Sequence, residues 1–171
     1  FAKRKPAVVN RTFGRLSIIS SVWLALTHGA NDGQKTMGII VLILFSADLI
    51  SEIHMPLWVI LAAASAMGLG TFFGGYKVIK TLGLKITRLK PYQGFAAQTG
   101  GGVMLAIFAI LGIPASTTHA ITGSVMGAGA ARRIRAVRWR VSRQIIFSWV
   151  ITIPGAAGLA IAFTYIIHLF V

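Results

Sequence analysis

Nine consecutive residues, Thr27-His28-Gly29-Ala30-Asn31-Asp32-Gly33-Gln34-Lys35, hold an imidazole, a carboxylate, two amides and an ammonium. The runs on either side, residues 16–26 and 36–48, are almost wholly apolar. Hydrocarbon tolerates charge and open backbone only where they face protein or a watery cavity. A bound solute would give this polar knot a reason to exist. Asp32 is the one acidic residue deep in an apolar stretch, and an ionised carboxylate there needs a cation, a set of donors or a proton. Asn31 adds a carbonyl oxygen of the kind a sodium ion requires, while a protonating carboxylate would serve a proton-coupled carrier equally well. The plainer reading is a local pair between Asp32 and Lys35, three residues apart on one helix face. His28 and Gln34 stay ambiguous.

A second knot, Gly112-Ile113-Pro114-Ala115-Ser116-Thr117-Thr118-His119, has a different chemistry. Pro114 disfavours helix at Ile113 and ends the run before it. Ser116, Thr117 and Thr118 then open the next helix, with hydroxyls able to cap free N–H groups. A helix N-terminus ringed by hydroxyls is an anion site, above all for phosphate. Simple capping of a transmembrane helix explains the same residues, and His119 alone reads as a packed histidine. Together the knots supply an anion site and a cation or proton site, the minimum for a symporter.

The elements that position these knots follow from hydropathy and charge. The chain has 171 residues, 56% hydrophobic and only 12% charged, with a mean hydropathy of +0.78. Soluble domains carry about 25% charged residues, so an all-α integral membrane protein is the fold class expected. Seventeen Lys and Arg against three acidic residues give +14. Apart from Lys35, the basic residues fall in three blocks, residues 3–15, 77–90 and 132–143, between apolar runs. Blocks of this kind mark cytoplasmic loops; a nucleic-acid partner would need them on one water-facing surface. With no cysteine there is no disulfide or thiolate metal site. One aspartate deep in an apolar stretch, scattered histidines and no nucleotide loop leave nothing on which to build an enzyme, a metal centre or a cofactor site. A chain that opens on Phe1 without a signal pattern reads as the later part of a longer protein.

In order, residues 1–15 are expected as a cytoplasmic basic loop, with Pro6 and Asn10 against a long helix, and residues 16–171 as the transmembrane repeat. Runs 16–27 and 36–50 are each too short to cross a ~30 Å hydrocarbon core, and together they predict one broken helix interrupted at Gly29 and Gly33. Residues 51–56 form a turn and 57–76 a plain span; 77–90 returns to the cytoplasmic side. Residues 91–111 and the short run 120–130 lie between two basic blocks, predicting a re-entrant helical hairpin; two tightly packed crossings are the alternative. Residues 144–171 form a last span, kinked at Pro154 and Gly155, with the C-terminus outside.

At these residues the chain resembles a known family. "HGANDGQKTMGII" and "GIPASTTHAITGSVMGAGA" resemble the paired signatures of the inorganic phosphate transporter (PiT) family, the sodium- or proton-coupled phosphate permeases. The link "GYKVIKTLGLKITRLKPYQGFAAQ" resembles that family's connection, and the likeness covers about residues 20–165 in one order. It implies one half, the C-terminal one, of an inverted-repeat transporter in the plasma or inner membrane. By the resemblance Ser116, Thr117 and Thr118 contact phosphate, and Asn31 and Asp32 hold the coupling cation or phosphate, with Gln98, Lys35 and His119 as secondary candidates. Gln98 stands where the family often has Glu, which removes a titratable group. "GANDGQK" also differs from the "GANDxANA" form. Sodium, a proton and a metal–phosphate cargo all stay open. Expected partners are phosphate, the lipid bilayer and the missing N-terminal repeat, with room for a homo-oligomer. The competing function is a scaffold or anchoring subunit derived from such a transporter.

Overall fold

The computed structural model describes residues 6–169, and these form five helices with no strand among them. They are α1 (Pro6–Ser46), α2 (Leu57–Lys80), α3 (Pro91–Ile110), α4 (Thr117–Ala130) and α5 (Trp139–His168), with a π-helical turn at Thr81–Ile86 and a 3₁₀ turn at Ile134–Ala136. Leu57–Tyr76, Pro91–Ile110 and Trp139–His168 are each long and apolar enough to cross a membrane. The outward surface agrees, with Phe72 and Phe73 each 80% exposed and Ile110 83%. Side chains this apolar on the outside suit hydrocarbon, not water. The chain is an all-α membrane protein.

The largest departure from expectation is α1. The expected loop over residues 1–15 is helical from Pro6 onward, and residues 1–5 lie outside the described part. Pro6 takes the first helical position, where its missing N–H costs nothing. The expected break at the first knot is also absent, since α1 runs unbroken for 41 residues. Two glycines cost a helix only about 1 kcal/mol each. The Asp32 carboxylate meanwhile finds His28 and Lys35 four and three residues away, so the backbone need not open to satisfy it. At the far end Asp48 adopts φ 54°, and Leu49 N–H donates to Leu44 O at 3.0 Å, closing the helix with a left-handed cap.

Residues 77–90, expected as a loop, are only partly one: α2 continues to Lys80, the π-helical turn carries on to Ile86, and the chain is extended after it. Pro154 lies inside α5, which runs on through it.

Helices α1 and α3 lie side by side and run parallel. Ser17 Oγ donates to Pro91 O at 3.3 Å, Ser20 Oγ to Gln98 Oε1 at 2.6 Å, and Lys35 Nζ to Ala115 O at 2.6 Å, so both chains advance together. Buried Ser20 and Thr27 of α1 face Gln98 and Gly102 of α3, four residues apart on one helix face, while Gln93 and Ala97 pack toward α4. Glycine permits the closest approach: a Cβ on Gly102 would lie 2.5 Å from Trp23 Cδ1.

Helix α4 turns back along α3. Gln93 Nε2 donates to Ala128 O at 3.1 Å, while a Cβ on Gly101 would lie 3.3 Å from Ser124 Oγ, so the numbering falls on one helix as it rises on the other. The expected hairpin is therefore present as a helix pair. At ~1.5 Å per residue its 14-residue second arm is roughly 21 Å long, short of a ~30 Å core.

One end of this assembly collects the described parts of all three basic blocks. Phe13 packs against Phe95 at 5.6 Å between ring centroids, and Arg138 N–H donates to Ile86 O at 2.9 Å. Ile86, Ala97, Val125 and Val137 form a small core there. The polar knots lie at the other end of the hairpin, with Asp32 roughly 25 Å beyond Arg15 along α1.

Candidate functional site

The turn between α3 and α4 presents the second knot to the first. Gly112, at φ +65°, takes the left-handed position that ends α3, and glycine adopts it without strain. Ile113 N–H donates to Phe108 O at 2.9 Å and Gly112 N–H to Ala109 O at 3.3 Å, the paired bonds of a Schellman motif. Pro114 follows and prevents the helix from resuming. Ser116 then caps α4, its Oγ accepting from His119 N–H at 3.3 Å.

Asp32 is the centre of the site. Its Oδ2 accepts from Thr117 Oγ1 at 3.0 Å and lies 3.0 Å from His28 Nε2. Its Oδ1 lies 2.9 Å from Lys35 Nζ, and that ammonium also donates to Ala115 O at 2.6 Å. One carboxylate thus joins two segments 85 residues apart. Beside it, Asn31 is only 3% exposed, and its Nδ2 has no partner. Asn31, Gln34 and Lys35 line a cavity of about 210 Å³, closed on the other side by Phe108, Ile113 and Pro114.

This arrangement suits an oxyanion. The first N–H groups of α4 have no acceptor within the helix, and the helix dipole adds positive potential at that end. A bare carboxylate would undo the effect: two unit negative charges about 5 Å apart repel by about 3 kcal/mol at an effective dielectric of about 20. The Lys35 ammonium, held against Asp32, removes most of that repulsion.

The predicted site residues do not all meet. Asn31, Asp32, Lys35, Ser116 and Thr117 come together at the hairpin tip. Thr118 is exposed, one step of about 100° around the helix from Thr117. His119 turns away and packs on Trp149 of α5, with 3.8 Å between ring centroids, as a packed histidine would. Gln98 holds Ser20 instead, twelve residues and roughly 18 Å from Asp32 along α1. His28, ambiguous by residue type, joins the site, and its i, i+4 spacing to Asp32 is the signal that identifies it. The Ala115 carbonyl, a backbone group, leaves no mark in residue types. Among the described residues no three His, Cys, Asp or Glu side chains converge as metal ligands would.

Residues 2–160 match the model of the phosphate transporter family. The chain belongs to that family. Family members are transporters rather than enzymes. A probable low-affinity inorganic phosphate transporter of Rhizobium meliloti is 49% identical over 158 residues, covering 92% of this chain and 47% of the relative. Its counterpart in Bacillus subtilis is 39% identical over 164 residues, 95% of this chain and 49% of the relative. Another, from Mycobacterium bovis, is 43% identical over 157 residues, 91% and 37%. The chain spans about half the length of the curated relatives it matches, or less. No solved structure matches it.

Proposed function

We propose that this chain forms part of a secondary transporter that carries inorganic phosphate across the cell membrane, crossing it several times. The observation that carries the reading is the 3.0 Å hydrogen bond from Thr117 to Asp32. It joins the two polar knots and sets Asp32 against the first turn of α4, a helix N-terminus of the kind at which phosphate binds well; the cavity lined by Asn31, Gln34 and Lys35 lies nearby, at the end of α3. The relatives, phosphate transporters by description, support the substrate. Their greater length supports a site completed by further protein, in line with the expected N-terminal repeat. In this reading α3 and α4 form a hairpin that enters and leaves the membrane at the basic end, since that end gathers Lys and Arg from all three blocks. Coupling runs to sodium or protons, and the cargo is free or metal-bound phosphate.

The test is phosphate uptake by the full-length protein in cells stripped of their own phosphate carriers, with and without sodium and across pH, for wild type and Asp32→Asn. Saturable phosphate uptake that the substitution abolishes supports the reading. Absence of uptake under every condition overturns it.

A further inference from the structure

We propose that the Lys35 ammonium is a tethered cation, filling the place beside Asp32 where a monovalent metal ion would otherwise sit, so that this site takes no sodium. The inference deepens the phosphate-transport reading and rests on it.

Two oxygens define the place. Lys35 Nζ lies 2.9 Å from Asp32 Oδ1 and 2.6 Å from Ala115 O. One ligand is a carboxylate and the other a carbonyl of non-helical backbone in the α3–α4 turn. These are the oxygens with which membrane transporters hold a coupling sodium ion at interrupted helices. An ammonium is a compact monovalent charge with three donors and no acceptor, so it can satisfy the same oxygens. Because both its ligands are engaged by a covalently held charge, a free ion would have to displace the side chain from two hydrogen bonds. Sodium would also gain little, since the Asp32–Lys35 pair is already neutral.

The tether also bridges elements. Asp32 is on α1 and Ala115 precedes α4, so Lys35 fastens the anion-facing hairpin tip to α1 as a bound ion would. Unlike an ion, it cannot leave with the phosphate. The counter-charge at this position is therefore permanent, and any ion that travels with phosphate must bind elsewhere.

The test uses the full-length protein, assayed for phosphate uptake in sodium and in choline media. Lys35→Ala vacates the oxygens; its uptake is expected to fall roughly tenfold or more in choline and to recover in sodium. Lys35→Met fills the same space without charge, and sodium is expected not to rescue it. A Lys35→Ala protein that folds, by size-exclusion profile, and is equally impaired in both media overturns the proposal. Should that variant fail to fold, sodium-dependent thermal stabilisation of wild type and Asp32→Asn decides. An equal response in the two proteins supports the proposal. A sodium stabilisation present in wild type and lost in Asp32→Asn places sodium at Asp32 and overturns it. This stabilisation assay needs no phosphate transport, so failure of the transport reading shows separately as absent wild-type uptake.

Discussion

Thr117 and Asp32 lie 85 residues apart in the chain and 3.0 Å apart in space, the hydroxyl donating to a carboxylate oxygen that also faces His28. The hydroxyl is in the first turn of α4, so it links the helix terminus to the charge centre on α1. Thr117→Val keeps the shape and removes the donor. Leaving a charged acceptor one bond short costs about 1–3 kcal/mol, and phosphate affinity is expected to drop roughly 5- to 100-fold. The fold should persist, because Lys35 and His28 still face Asp32. Thr117→Ser restores the hydroxyl and should restore uptake. Phosphate titration and uptake kinetics of the full-length protein check this; unchanged affinity in the valine variant removes Thr117 from the site.

Ser116 has a structural task that can be separated from ligand contact. Its Oγ accepts from His119 N–H at 3.3 Å, and losing such a cap costs about 1 kcal/mol. Ser116→Ala is expected to lower the thermal unfolding midpoint, and Ser116→Asn to restore it, since asparagine caps equally well. If Ser116 also touches phosphate, the asparagine variant regains stability while its affinity stays low. Unfolding midpoints measured beside binding constants distinguish the two roles.

Much of this molecule is legible in the order of its residues. Hydropathy shows the spans of α2, α3 and α5, because each is long and apolar enough to cross a membrane. Pro114 and the hydroxyls after it mark the turn and the start of α4. The departure at α1 has a physical cause. A charged knot in an apolar stretch looks like a break when its residues are taken to need open backbone, yet Asp32 meets His28 and Lys35 on its own helix. Side-chain pairing does the task expected of unwinding. Gln98 and His119 lie apart from Asp32 for other reasons: Gln98 meets α1 about three turns away, at Ser20, and His119, two residues past Thr117, faces Trp149 of α5. The Ala115 carbonyl is invisible in principle, because every residue has one.

Gly102 tests the packing of α1 against α3. A Cβ there would fall 2.5 Å from Cδ1 and 2.6 Å from Nε1 of Trp23, closer than any stable contact, so the indole must move. Gly102→Ala is expected to destabilise the protein by about 1–3 kcal/mol, the usual cost of overpacking. Trp23→Ala in the same chain removes the obstacle, so the two substitutions should be strongly non-additive, with part of the loss recovered in the pair. Thermal unfolding of the four proteins in detergent gives the cycle. Additive losses would mean that Trp23 is not what confines Gly102.

Gly29 tests whether α1 is continuous. It lies in the first knot, where hydropathy predicts an interruption, and a Cβ there would meet nothing within 4 Å. In an unbroken helix, alanine at such a position stabilises by roughly 0.5–1 kcal/mol, since it restricts the unfolded chain and favours helix. Gly29→Ala should therefore raise the unfolding midpoint. Were the backbone unwound there with positive φ, the same change would lower it, so the sign alone decides. Uptake adds a second reading from the same variant. The residue borders an open groove of about 400 Å³ between α1 and α2, with Met67 and Gly68 on the other wall. If transport requires α1 to open at this point, alanine will slow uptake while raising stability, the trade-off expected where function draws on a weak spot. If α1 moves as a rigid rod, stability rises and uptake is unchanged.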